Sequence, residues 1–159
     1  NRGGDPYASS DTNSGKMEIR SPRTDHEWEA YYALRYAVLR KPWNQKPGSE
    51  RDDLEADSKH FAAFEGPNLV GVGRLDELDP LTAQIRFMAV DFTYQGKGVG
   101  RNIMEAMEEY AWRLGVEKIV LHARENALRF YTKLGYELIH PSHLLFGEIQ
   151  HFLMQKKKG

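Results

Sequence analysis

The residues with the most chemistry in their spacing form one run, Val90-Asp91-Phe92-Thr93-Tyr94-Gln95-Gly96-Lys97-Gly98-Val99-Gly100-Arg101. Its glycines occupy alternate positions between a strand-like stretch and a helix-like one. Without Cβ atoms in the way, successive backbone N–H groups are free to point in the same direction. The first amides of a helix lack an intrahelical acceptor and carry partial positive charge. Together these features make a nest for a phosphate or diphosphate. Lys97 and Arg101 add full charges, and a hydrogen bond to a charged group contributes about 1.5–3 kcal/mol. Spacing excludes two common phosphate sites. A P-loop needs G-x-x-x-x-G-K-[ST], which does not occur, and the dinucleotide fingerprint needs G-x-G-x-x-G, whereas Gly96, Gly98 and Gly100 give G-x-G-x-G. Taken alone, the run also fits a turn and helix cap that bind nothing.

The elements around this run are legible from periodicity and punctuation. Met17–Arg20 reads as a short strand stopped by Ser21-Pro22. Thr24 or Asp25 caps a helix with Trp28, Tyr32, Tyr36 and Leu39 at helical spacing, ended by Pro42. Trp43 to Ser58 is polar and Pro-containing, hence a loop or short irregular helix. His60–Phe64 and Leu69–Leu75 form a hairpin through Glu65-Gly66-Pro67-Asn68, and Leu81–Val90 is a third strand. Gly98–Leu114 is a helix closed by Gly115, and Ala127–Leu134 a helix closed by Gly135. Ile119–Leu121, Tyr136–Ile139 and Ile149–Met154 complete the strands. Hairpins first and βαβ units later predict an α/β (α+β) sheet containing both parallel and antiparallel pairs.

The chain's 159 residues suffice for one compact domain, read here as residues 17–159. Residues 1–16 are mostly Gly, Ser, Asp and Asn with few large side chains, and are read as a tail or cloning remnant. The absence of cysteine removes thiol nucleophiles, thiolate metal sites and disulfides, and no metal is expected. A net charge of −1 gives no global field for nucleic acid or anionic membrane. No apolar stretch approaches the roughly 20 residues of a membrane helix. A cytoplasmic protein without nucleic-acid or membrane partners is the expectation, and sheet edges near the C-terminal strands favour a homodimer.

Three segments carry a family resemblance. Gln95-Gly96-Lys97-Gly98-Val99-Gly100 resembles the Q/R-x-x-G-x-G/A signature of the GNAT superfamily of acetyl-CoA-dependent N-acetyltransferases. Ala83–Val90 is similar to that family's fourth strand, and Phe130-Tyr131-Thr132-Lys133-Leu134-Gly135-Tyr136 to its F/L-Y-x-x-L/F-G-F/Y segment. The match runs in order from Met17 to Lys156, and the ending Ile149–Met154 most resembles the small bacterial ElaA-like branch. The resemblance implies a mixed, mainly antiparallel sheet of about six to seven strands, flanked by helices and splayed where acetyl-CoA binds. It implies that Met88, Ala89 and Val90 present main chain to the pantetheine arm, as an added strand would be met. Gln95, Gly96, Lys97, Gly98, Val99, Gly100 and Arg101 would hold the diphosphate.

The same resemblance assigns Tyr131 as the acid that protonates the leaving thiolate, against a reading in which Tyr131 is one more packed aromatic. Gln84 stands where some members carry a glutamate base. An amide takes up no proton but orients a water, so the base remains open among Glu77, His122 and His151. Many members place an Asn seven residues ahead of the tyrosine. Arg124 occupies that position, and Asn126 follows two residues later as a second cofactor contact; a guanidinium at Arg124 suits the adenosine 3′-phosphate. The acceptor cleft implied by the family holds Trp28, Tyr31, Tyr32, Tyr36 and Trp43, then Glu50, Asp52, Asp53, Glu55 and Asp57. These attract a cationic amine unless the aromatics are a core stripe and the acids a solvated loop. The leading expectation is acetyl transfer to a primary amine of a small molecule or peptide. The rival is a CoA-binding regulatory domain with little catalysis, which Gln84 favours and Tyr131 opposes.

Overall fold

The computed structural model describes residues 17–159, so the predicted tail at residues 1–16 lies outside the described part. Seven strands, β1 (Met17–Arg20), β2 (Lys59–Glu65), β3 (Asn68–Asp79), β4 (Thr82–Val90), β5 (Lys118–Arg124), β6 (Glu137–Leu145) and β7 (Ile149–Lys157), alternate with three helices, α1 (Asp25–Leu39), α2 (Val99–Arg113) and α3 (Leu128–Lys133). They form one sheet in the order β1-β2-β3-β4-β5-β7-β6. Neighbours pair antiparallel except β4 and β5, which are parallel. The mixed, mainly antiparallel sheet is the one implied by the sequence.

Both faces are covered, and strand alternation divides the core accordingly. On β2, Phe61 and Ala63 belong to the cluster around α2, while Ala62 and Phe64 belong to the cluster under α1. α2 buries Val99, Ile103, Met104, Met107 and Ala111 at helical spacing. α1 starts with an N-cap at Thr24: the Glu27 amide donates to Thr24 Oγ1 at 3.1 Å, and the preceding Arg23 amide donates to Glu27 Oε1 at 2.7 Å. Its inward face is partly polar, with Tyr31, Arg35 and Val38 buried.

Several elements depart from the bounds read in the sequence: β3 runs on to Asp79, β5 spans Lys118–Arg124 and β7 runs on to Lys157. β6 continues past Ile139 to Leu145 and takes in Pro141, which an edge strand tolerates because no further strand needs its missing N–H. The helix expected over Ala127–Leu134 is six residues long and follows a 3₁₀ turn at Glu125–Ala127.

Gly71 and Gly73 of β3 let α2 approach the sheet. A Cβ at Gly71 would stand 2.7 Å from both Ile103 Cδ1 and Val99 Cγ1, and one at Gly73 would stand 2.8 Å from Met88 Sδ. Gly71→Val is expected to destabilise the fold by about 1–3 kcal/mol through overpacking. Urea denaturation should show this as a lower midpoint at unchanged slope.

Candidate active site

β4 and β5 separate partway along their length. The parallel register runs from Thr82↔Lys118 to Ile85↔Leu121 and stops. From Arg86 onward β4 keeps β3 on one side and has no strand on the other. The separation coincides with a bulge: Phe87 and Met88 stand opposite the single residue Gly73, since Arg74 pairs with Arg86 and Val72 with Ala89. Phe87 lies in the left-handed region at φ 56°, a conformation costing about 1–3 kcal/mol for a residue with a side chain. Its ring is surrounded by guanidinium groups, Arg35 at 4.2 Å from the centroid, Arg86 at 4.8 Å, Arg74 at 4.9 Å and Arg40 at 5.6 Å. Each such contact returns about 0.5–2 kcal/mol.

Arg35 and Arg74 are fully buried and neutralised by carboxylates. All five N–H directions of Arg74 are used: Nε and Nη2 donate to Asp76 at 3.0 and 2.7 Å, Nη1 and Nη2 to Asp52 at 2.7 and 3.0 Å, and Nη1 to Glu55 at 2.9 Å. Arg35 Nη1 donates to Glu55 Oε2 at 2.8 Å and to the Glu50 carbonyl at 2.9 Å. These bonds pin the segment between α1 and β2 and correct its expected role. Asp52 and Glu55 are not a solvated run facing a cationic ligand; two buried arginines hold them. Trp28, Tyr31 and Tyr32 likewise pack against one another, Trp28 and Tyr31 also against the His60 ring, and Tyr31 is fully buried.

Past the bulge, β4 ends in the glycine-rich run. The Tyr94 amide donates to Asp91 O at 2.8 Å, and the Asn102 amide to Gly98 O at 3.0 Å. Between them, the seven amides from Gln95 to Arg101 have no well-aligned acceptor among the described residues. Gly96 and Gly98 have φ of 79° and 87°, and nothing lies within 4 Å of where their Cβ atoms would be. The left-handed backbone requires glycine there, and the space over it is open. Gly100 has a different role: a Cβ would come 3.2 Å from Phe130 Cζ, so this glycine seats α2 against α3. Side chains of the run are engaged locally. Gln95 Nε2 donates to Val90 O at 3.1 Å, Lys97 lies over the Tyr94 ring, and Arg101 pairs with Glu105.

The opened strands border a cavity of about 410 Å³, a size suited to a small ligand. Of the residues singled out in the sequence, Gln84, Met88, Arg124, Tyr131, His122 and His151 line it. Ala89 is buried under α1, Glu77 and Asn126 are exposed, and none of the three lines the cavity. Trp43 is the one aromatic of the predicted acceptor set at its wall. Sequence reasoning missed Arg40, Arg86, Phe87 and His143, whose convergence depends on the bulge and on the long β6–β7 hairpin.

Tyr131 is buried, and its hydroxyl has no hydrogen-bond partner among the described residues. Burial pushes its pKa up to about 12, opposed weakly by the charge of Arg124. The proton therefore stays on the phenol at neutral pH. His122 Nδ1 is 2.9 Å from Ser142 Oγ. His151 Nδ1 donates to Ile149 O at 3.0 Å, and its ring stacks on His143 at 4.4 Å. Burial pushes both the His122 and His151 imidazoles below the usual range, with neighbouring His143 acting the same way. Both are therefore neutral near pH 7. Among the described residues no cluster has the makings of a metal site, and no helix is long and apolar enough to cross a membrane.

A strand that leaves its parallel neighbour and ends in amides with no well-aligned acceptor among the described residues is the geometry that the resemblance to the GNAT superfamily implies. The chain belongs to the acetyltransferase (GNAT) family, whose sequence model matches residues 25–136. It is 32% identical over 128 residues to the uncharacterized N-acetyltransferase YjcF of Bacillus subtilis, across 80% of this chain and 90% of that one. Escherichia coli ElaA shares the fold, with a TM-score of 0.73 at 20% identity over 89% of this chain and 99% of that one. So does an aminoglycoside 6′-N-acetyltransferase solved with coenzyme A, with a TM-score of 0.75 at 14% identity over 89% of this chain and 96% of that one.

The ion network has a pH signature. The hydrogen bonds from Arg74 hold the Asp52 carboxyl down at about 2, below its ordinary 3.8. The unfolded chain therefore binds this proton first, so the stabilisation is complete above about pH 4 and disappears as pH falls toward 2. Asp52→Asn should lower stability at pH 7 and flatten the acid side of a melting-temperature profile.

Proposed function

We propose that the protein transfers the acetyl group of acetyl-CoA to a primary amine of a small molecule or peptide, by direct attack of the amine in a ternary complex. The observation that carries this reading is the set of seven amides from Gln95 to Arg101 with no well-aligned acceptor among the described residues, open to solvent at Gly96 and Gly98, at the end of a strand with one free edge. Their donors fit a diphosphate, and the free edge of β4 at Met88–Val90 fits the amide groups of a pantetheine arm. Acetyl-CoA supplies a thioester carbonyl activated toward nucleophiles. With no cysteine in the chain, direct attack is favoured over a thiol-bound acetyl carrier.

The side chains at the cavity supply the proton transfers. The amine is protonated in water, with a pKa near ~10.4 if lysine-like. His122, neutral and held through Ser142, takes that proton. The amine nitrogen bonds to the acetyl carbon, the carbon–sulfur bond breaks, Tyr131 gives its phenolic proton to the departing thiolate, and the proton shed by the new amide nitrogen returns to Tyr131. Gln84 orients the water or amine between these groups. Arg124, near enough to Tyr131 to act on its charge, fits the reacting end of the cavity better than the adenosine 3′-phosphate.

One observation favours a second reading: Gln84, not a carboxylate, faces the cavity from β4, as in a CoA-binding domain with little turnover. Release of free CoA thiol with a panel of amines separates the two readings.

Gly98→Val forces a branched residue into a left-handed conformation inside the nest. It should weaken CoA binding by about tenfold or more in a folded protein; unchanged affinity by calorimetry would remove the nest from the argument. Tyr131→Phe should lower kcat by about 10²–10⁴-fold with little change in CoA affinity. His122→Gln should show a deficit that shrinks as pH rises toward the amine's own pKa, where solvent removes the proton.

A further inference from the structure

The cavity wall has one sign of charge. Arg40, Arg86 and Arg124 line it together with His122, His143 and His151, and no Asp or Glu does. The nearby carboxylates Asp52, Glu55 and Asp76 are bonded to Arg74, and Glu55 to Arg35 as well. Among the described residues Arg40 has no bonded carboxylate: its Nε donates to Ser49 O at 3.0 Å and its Nη1 to Leu39 O at 3.1 Å, with Nη2 uncommitted there. Arg86 gives Nη1 to Asp52 at 3.1 Å, an oxygen it shares with Arg74, and otherwise faces outward. Both guanidinium groups sit against the one Phe87 ring, 5.6 and 4.8 Å from its centroid, so the bulge brings them to the same stretch of wall. Burial of Arg40, with Arg86 and Arg35 close by, pushes its pKa down, and the charge of Glu50 opposes the shift only in part.

A bare ammonium compound meets three guanidinium groups and no carboxylate on this wall. Resting on the transferase reading, we infer that the acceptor carries, besides its amine, an oxyanion, a carboxylate or a phosphate, bound by Arg40 and Arg86. Guanidinium donors match both oxyanions through paired N–H bonds. Anchoring the oxyanion at these two residues leaves the amine end of a short molecule to reach His122 and Tyr131 in the same cavity. Specificity then arises from a difference: the anion gains two partners, while an acceptor whose only charge is positive is disfavoured by the same wall.

The test uses matched acceptors that differ in the anionic group, β-alanine against propylamine and 2-aminoethyl phosphate against ethanolamine, with CoA thiol release as readout. The anionic member of at least one pair is expected to have a kcat/KM higher by about tenfold or more, and the better pair identifies the oxyanion. Arg40→Gln and Arg86→Gln should each reduce that preference by about tenfold through KM, with kcat within about threefold. Should Arg40→Gln fail to fold, Arg86→Gln, at an exposed position, decides. Equal or better use of the members without an anionic group, or a preference indifferent to Arg86, overturns the anionic subsite and leaves the transferase reading standing. If no acceptor releases thiol, the transferase reading fails by itself. The subsite is then judged by calorimetry of the same four compounds on the CoA-saturated protein. Arginine-dependent binding of the anionic members supports it; absent or unselective binding overturns it.

Discussion

The site depends on β4 leaving β5 after Ile85, and that departure depends on Phe87 holding a left-handed backbone that a bulky residue normally avoids. A glycine would adopt the same φ without strain, so the ring itself must contribute. It does so as the common contact of four guanidinium groups, which an aromatic face attracts and a glycine could not. Gly73, opposite the bulge, leaves room beneath it for Met88 and accepts a hydrogen bond from Tyr31 at its carbonyl. The fork in the sheet, the packing of α1 and the arginine cluster are therefore one construction.

Buried arginines are expensive unless every donor is satisfied. Arg74 meets that condition, and the three carboxylates that satisfy it come from β3 and from the segment between α1 and β2. That segment contains only short 3₁₀ turns, yet it is fixed because its acids answer charges that would otherwise be stranded in the interior. The consequence reaches the cavity. With the acids drawn to Arg35 and Arg74, Arg40 and Arg86 remain to set the field on the open side.

The glycine-rich turn was legible in the sequence because left-handed backbone writes itself as glycine: Gly96 and Gly98 have φ of 79° and 87°, and their alternation before a helix marks the turn proposed to hold the diphosphate. The strand–helix order was equally readable, since apolar alternation on β2 and helical spacing on α2 report which face each residue buries. Tyr131 and Gln84 came from resemblance alone. The acceptor wall was not readable. Asp52 and Glu55 look like any solvated acidic loop until Arg35 and Arg74, distant in sequence, are placed beside them. Arg86 alternates correctly within an ordinary strand pattern, and nothing local marks Phe87 as left-handed. Such features arise from long-range pairing, to which periodicity is blind.

The two halves also differ in how freely they can change. The donor side is built of main-chain amides whose direction is set by turn geometry, so substitutions of exposed side chains at Lys97 or Arg101 leave its logic intact. The acceptor wall is assembled from side chains of α1, β4, β5 and the β6–β7 hairpin, each replaceable without disturbing the nest. One fold can thus keep its proposed donor side while its acceptor changes, so fold likeness says little about the acceptor. For this chain, the information about the acceptor lies in the charge of that wall, and the wall is cationic.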